Sequence, residues 1–150
     1  LMVLKKLVEW NACKSITVLL SERSPNFKKV NEFSKLYKTI NHISFTSDVA
    51  NLMLSHDIAI GAPGSTSWER ACLGLPSILI PLAENQADIC YELEQEGVCP
   101  KLEFSEIEEG IIKKIKFVLR HSQEISSKSF ALCDGKGCNR VINKIINYVS

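Results

Sequence analysis

The sequence predicts an α/β domain, a Rossmann-like parallel sheet doubly wound with helices on both faces. Three observations predict it. Short apolar runs alternate with stretches of helical periodicity along the whole chain. The runs, such as SITVLL and SILI, are almost continuously apolar, which is how strands buried on both faces read. No internal repeat or low-complexity linker interrupts the alternation, so one layered architecture accounts for all of it.

The elements follow in order. Leu1, Leu4, Leu7 and Val8 recur at i, i+3, i+4 spacing and predict an amphipathic helix over Leu1 to Trp10. Ser15 to Leu20 reads as a buried strand. Ser24-Pro25-Asn26 opens a helix reaching about Tyr37, with Phe27, Val30, Phe33 and Leu36–Tyr37 inward. Asn41 to Phe45 is a strand. Thr46-Ser47-Asp48 then offers cap residues for a helix from Val49 to about Ser55. Asp57 to Ile60 is a strand, stopped by Gly61-Ala62-Pro63-Gly64. A short helix over Trp68 to Leu73 follows a Ser65-Thr66-Ser67 start and ends at Gly74, with Pro76 beyond. Ser77 to Ile80 is another buried strand. Glu84 to Gln95 is a helix closed by Gly97, and Val98 to Lys101 fits a short edge strand. Ser105 is the expected cap of a helix running through Glu108–Arg120, with Ile107, Ile111, Ile112, Ile115 and Val118–Leu119 at helical spacing. Asp134 to Gly137 makes a turn. Asn139 to Val149 is the last helix, with Val141, Ile142, Ile145, Ile146 and Val149 on one face.

Composition excludes several classes. The chain has 150 residues, 45% hydrophobic and 23% charged, enough for one domain with a core. A net charge of +1 gives no bulk attraction to nucleic acid or to a membrane surface. No apolar run is long enough to span a bilayer. Lys5, Lys6 and Glu9 make Leu1 to Trp10 a poor secretion signal, so a cytoplasmic location is expected. The six cysteines show no CxxC pair and read as free thiols in apolar contexts. Cys133 and Cys138 flank the DGKG turn and could meet as a metal or disulfide pair. With no second pair nearby, the spacing argues against zinc.

The chain is organised around His56 to Gln86. A glycine-rich turn leads from a strand into a helix N-terminus, where unpaired N–H groups and the positive end of the helix dipole point the same way. This is an anion site of a kind that matches neither GxxxxGK[ST] nor GxGxxG. Ser65, Thr66 and Ser67 can hold a phosphate through amides and hydroxyls, with Gly61 and Gly64 giving close backbone approach. Plain N-capping uses the same geometry. Ligands on doubly wound sheets bind outside strand carboxyl ends, and the loops after Phe45 and Ile60 both lie there.

GAPGSTSWERACLGLP followed by PLAENQ, with FTSDVA before it and DGKG after, resembles the C-terminal domain of the UDP-sugar hydrolase of pseudaminic acid biosynthesis. That family acts on a UDP-linked diacetamido-trideoxy sugar. More distantly the same stretch is similar to the GT-B glycosyltransferase that makes lipid II. The match is dense over roughly Phe45 to Gln86. It implies the C-terminal half of a GT-B fold, with UDP or a UDP-sugar as ligand and no cofactor.

The resemblance also implies roles. Gly64, Ser65, Thr66 and Ser67 would hold the diphosphate. Glu69, one turn into the helix, would accept the ribose hydroxyls; otherwise it is an acid stabilising a helix start. Thr46 would offer backbone groups to uracil, with Phe45 and Val49 as an apolar wall; an ordinary capped helix start explains the same residues. Asn85 and Gln86 would face the sugar, or merely open a helix beside Glu84. Trp68 fits core packing better than stacking on a ligand. Arg70 suits either a phosphate or an ion pair. Asp134 and Lys136 need only a turn.

Hydrolysis needs a group to activate water. His42 and His56 fall near strand starts, and His121 ends a helix, so none stands beside the expected site. In the resembling hydrolase the catalytic histidine belongs to the N-terminal domain. The expectation is a fragment or a truncated or fused relative, a single nucleotide-sugar-binding domain over residues 1–150. It has no catalytic or metal-ligating residue of its own and takes as partner a separate or fused N-terminal catalytic domain. The strand that precedes such a first helix in GT-B domains is missing here. A gap in the sheet is therefore expected. A GT-B transferase domain and a non-catalytic nucleotide-sugar module are the alternatives.

Overall fold

The computed structural model describes residues 1–149, the last of them by backbone alone. Its elements are α1 (Met2–Trp10), β1 (Ile16–Leu19), α2 (Phe27–Ser34), β2 (Ile40–Ile43), α3 (Val49–Leu54), β3 (Ala59–Gly61), α4 (Ser65–Cys72) and β4 (Ser77–Leu79). There follow α5 (Ala87–Gln95), α6 (Ile107–Arg120), α7 (Ser122–Leu132) and α8 (Gly137–Val149). The fold is α/β with parallel strands, as the alternation predicts.

The strands form two ladders rather than one sheet. β1 pairs with β2 in parallel, Ile16 opposite Ile40 and Leu19 opposite Ile43. β3 pairs with β4 in parallel, Ala59 opposite Ser77 and Gly61 opposite Leu79. No ladder joins β1 to β3 among the described residues. A side-chain link crosses the split instead. His56 Nδ1 lies 2.7 Å from the Leu52 carbonyl, which can only accept. The proton therefore sits on Nδ1, and Nε2 accepts from the Thr17 hydroxyl at 2.9 Å.

The core shows why both faces are apolar. Ile78 and Ile80 join a cluster with Leu4 and Leu7 of α1, Ile16, Ile40, and Ile107, Ile111, Ile115 and Val118 of α6. Leu79, between them, points the other way into a cluster with Ala71 of α4, Cys90 and Leu93 of α5, Val98 and Cys99. Alternation along a strand delivers neighbours to opposite faces. β4 is thus covered on both sides.

Several expectations are corrected. α2 stops at Ser34, because Leu36 and Tyr37 close onto Phe33 and Ser34 in tighter turns, which leaves Leu36 73% exposed. Glu84 to Gln86 is a 3₁₀ turn leading into α5. Val98 to Lys101 contributes a single parallel bridge, Leu79 to Lys101. Glu103, not Ser105, begins the turn before α6: Glu106 folds back to accept its N–H at 3.2 Å. α7 had no sequence forecast. Its inward side is only Ile125 and Ser129, too sparse a stripe to read. It docks on the end of α4 through Ser126, which donates to the Gly74 carbonyl at 2.6 Å. Phe130 fills the space where a Gly74 side chain would stand, and Gly74 itself is left-handed at φ 63°. On α8 the apolar stripe is present, but Val141, Ile142 and Ile145 stay more than half exposed. Cys133 meets Cys72 rather than Cys138, and all six cysteines are free thiols. Among the described residues no helix is long and apolar enough to cross a membrane.

Candidate functional site

The candidate residues lie on loops that leave the carboxyl ends of β2, β3 and β4, where an α/β sheet binds ligands. The first loop is shaped by its own side chains. Thr46 Oγ1 accepts from the Asp48 amide at 3.1 Å. Asp48 caps α3 by accepting from the Asn51 amide at 3.1 Å and from its side chain at 2.7 Å. These bonds hold the Asp48 carboxyl below its ordinary range. The Phe45 ring is 79% exposed, and Val49 is half-buried at the start of α3.

The second loop is the most constructed. β3 ends at Gly61, and α4 begins at Ser65 after Ala62-Pro63-Gly64. Gly64 is the N-cap residue, with extended backbone. A Cβ placed on it would meet nothing of this chain within 4 Å, so open space lies beside the turn. The amides of Ser65 and Thr66 find no acceptor among the described residues, as the first amides of any helix require an outside partner. Both side chains are exposed.

Ser67 differs from the expectation that its hydroxyl reaches outward. It is fully buried. Its N–H donates to the Gly64 carbonyl at 2.9 Å, and its Oγ accepts from the Gly64 amide at 3.3 Å. Arg70 Nη2 donates to the same Oγ at 3.1 Å and to the Ala62 carbonyl at 3.3 Å. Ser67 is therefore a brace for the turn. Trp68 is 42% exposed, contrary to the core role expected of it. The inward side of α4 is Ser67, Arg70 and Ala71, spaced i, i+3, i+4, and Trp68 falls outside that stripe. Glu69 stands exposed one turn along.

Arg70 is the residue that sequence reasoning left undecided. It is 5% exposed and carries no ion pair among the described residues. Burial pulls its guanidinium below its ordinary value, though it stays protonated at any physiological pH. The nearby Cys99 thiol, pushed up to about 11 by burial, is neutral and offers no countercharge. The signal was present in the sequence: Arg70 shares a helix side with Ala71 and Ser67, away from Glu69.

In the third loop Gln86 Oε1 accepts from the Leu82 amide at 2.8 Å, pinning the turn, while Asn85 is exposed. The first loop links Thr46, Asp48 and Asn51, and the second links Ala62, Gly64, Ser67 and Arg70. No side-chain hydrogen bond joins the three loops to one another among the described residues, while the Ile80 amide after β4 donates to the Gly61 carbonyl at 3.0 Å. A surface hollow of about 690 Å³ runs along α6 past Leu102, Glu106, Gly110 and Phe117 and holds none of these residues.

The histidines serve structure. His42 bonds to the Leu20 carbonyl and to Asn31 Oδ1, both at 3.3 Å. His56 bridges the ladders, and His121 Nδ1 lies 2.9 Å from the Phe117 carbonyl. Asp134 shapes its turn by accepting from the Lys136 amide at 3.0 Å, and pairs with Arg140 at 2.6 Å.

Residues 2–140 match the model of the glycosyltransferase family 28 C-terminal domain. The spore coat polysaccharide biosynthesis protein SpsG of Bacillus subtilis (strain 168) is 27% identical over 135 residues, which is 85% of this chain and 39% of SpsG. The crystal structure of Acinetobacter baumannii MurG superposes with a TM-score of 0.71 at 18% identity, covering 97% of this chain and 43% of MurG. The glycosyltransferase VinC, solved in complex with dTDP, superposes at 0.58 with 14% identity, over 89% of this chain and 35% of VinC. These structures establish the likeness of fold to C-terminal halves of GT-B glycosyltransferases. The chain spans about two fifths of the length of the relatives it matches. It belongs to the glycosyltransferase family 28 C-terminal domain family.

Proposed function

We propose that the chain is a single UDP-sugar-binding domain and that the diphosphate sits on the N-terminus of α4. The observation that carries this reading is the pair of unpartnered amides at Ser65 and Thr66, beside the open space at Gly64. Oriented amides at the positive end of a helix favour a diphosphate. Glu69, exposed on the next turn, accepts the ribose hydroxyls. Phe45, Thr46 and Val49 form the uracil wall and edge. Asn85 and the side-chain NH2 of Gln86 face the sugar. Ser67 contributes by bracing the turn.

The parent protein, on this reading, is a cytoplasmic hydrolase in pseudaminic or related sugar biosynthesis. Water displaces UDP from the anomeric carbon, and a separate or fused N-terminal domain supplies the catalytic groups. The resemblance of GSTSWE and ENQ to the hydrolase supports it. The family match favours a second reading equally well: a glycosyltransferase, in which an acceptor hydroxyl takes the place of water. UDP-sugar incubated with the whole protein separates them. Hydrolysis yields free sugar without acceptor, whereas transfer stalls until an acceptor is added.

Binding itself is tested by calorimetric titration with UDP against dTDP, CMP and ADP. Saturable UDP heat that exceeds the others supports the reading. No heat with any nucleotide, from folded protein, overturns it.

A further inference from the structure

We propose that Arg70 is the buried positive charge on which the anion site of α4 is built, a positioning residue that biases the turn toward diphosphate without touching it. The inference rests on the reading of this turn as a diphosphate site.

The argument starts from an energetic anomaly. A buried guanidinium is retained when a carboxylate pairs with it, because an isolated buried charge is costly. Arg70 has no such ion pair among the described residues, and the one carboxylate whose field reaches it is that of Glu69. Glu69 beside it is exposed and lies off the inward side of α4. Cys99 is neutral at physiological pH. The donors are also underused. Nη2 reaches the Ala62 carbonyl and Ser67 Oγ. Nε is buried with no acceptor at all. Nη1 has no acceptor among the described residues and presses against Gly61, where a Cβ would come within 2.8 Å of it.

Both hydrogen bonds of the Arg70 side chain, and its close approach to Gly61, are to the turn. Gly61 and Ala62 lie on its β3 side and Ser67 on its α4 side. The guanidinium therefore sits directly behind the segment whose outer side offers the free Ser65 and Thr66 amides. A full charge in a poorly solvated place acts over longer range than one in water. An anion arriving on the outer side adds countercharge that no ion pair among the described residues supplies. It does so alongside the partial charge of the α4 dipole. The same bonds fix the turn in the shape that exposes those amides, so charge and geometry work together.

The test compares ligands that differ only in phosphate. The wild-type protein, Arg70→Met and Arg70→Lys are titrated with UDP and with uridine, by calorimetry and by NMR shift for the weaker ligand. Arg70→Met is expected to weaken UDP at least tenfold and to leave uridine within twofold, while Arg70→Lys recovers most of the loss. The salt dependence of UDP binding should flatten in Arg70→Met. UDP affinity within twofold of wild type in Arg70→Met overturns the inference while the site stands. Equal losses for UDP and uridine also overturn it, since they mark a purely structural role. If wild-type protein binds no UDP, the site reading falls and this inference with it. Should Arg70→Met fail to fold, the Arg70 Nε–Hε resonance of the wild type decides, assigned by its absence in Arg70→Lys. It is expected to move on saturation with UDP and with pyrophosphate. An unmoved resonance at saturation overturns the inference.

Discussion

Arg70 Nη1 lies 2.8 Å from the point where a side chain on Gly61 would begin. A side chain on the last residue of β3 would thus require the guanidinium to shift, while the backbone angles there impose no strain. Gly61→Ala should cost about 1–3 kcal/mol of stability as an overpacking change. It should also weaken UDP by displacing Arg70. Urea unfolding and a UDP titration of the same variant check both. A neutral result in both would show that the arginine moves aside freely.

Glu69 should separate binding from folding. It is exposed and its side chain makes no hydrogen bond among the described residues, so Glu69→Ala should leave stability within about 0.5 kcal/mol. As a charged acceptor for ribose, its loss should cost about 1.5–3 kcal/mol of UDP affinity. Calorimetry with UDP and a thermal melt provide the two readouts.

The link between the ladders should carry measurable stability. Thr17→Val keeps shape and removes the hydroxyl that His56 Nε2 accepts from. A loss of about 1 kcal/mol in urea unfolding is expected for one half-buried hydrogen bond. No change in the unfolding midpoint would mean that the split needs no such bridge.

Acid should expose the role of the Asp48 cap. Hydrogen bonds from the Asn51 side chain and amide depress its folded-state pKa below its ordinary value near 3.8. A depressed carboxyl stabilises the fold above the unfolded value, and that contribution is lost as pH falls through the folded value. Asp48→Asn keeps a capping oxygen but cannot titrate. The acid-side decline of melting temperature, followed from pH 6 to pH 2, should be shallower in Asp48→Asn than in wild type. Asp134 and Glu124, depressed by Arg140 and by Lys128 respectively, leave a residual slope in both proteins.

α6 and α8 should respond oppositely to the same kind of change. Ile111 is fully buried, and Ile111→Ala should cost about 2–5 kcal/mol. Ile142 is 52% exposed, and Ile142→Ala should lie within about 0.5 kcal/mol of wild type. Chemical unfolding of the two variants measures the contrast.

These contrasts mark what sequence can convey. Dense local patterns were legible. The continuous apolar runs foretold β1 and β4, Thr46-Ser47-Asp48 foretold a capped helix, and Gly74 and Gly97 foretold helix ends, both of them left-handed in the structure. Sparse ones were not. α7 buries little beyond Ile125 and Ser129, and its place is set by Gly74 and α4, which are distant in sequence. Exposure of the α8 stripe is likewise a matter of what stands opposite it, which periodicity does not encode. In the site, the turn and helix start were legible because glycine, proline and hydroxyl residues act locally. The division of labour was not. Ser65, Thr66 and Ser67 look alike in sequence, and only the inward stripe of α4 separates the brace from the open amides.

The measurement that bears most directly on the account is the calorimetric titration of this protein with UDP, repeated on Glu69→Ala. The account predicts saturable UDP binding stronger than that of dTDP, CMP or ADP, weakened at least tenfold in Glu69→Ala. Absence of heat with every nucleotide, or UDP binding untouched by Glu69→Ala, would contradict it.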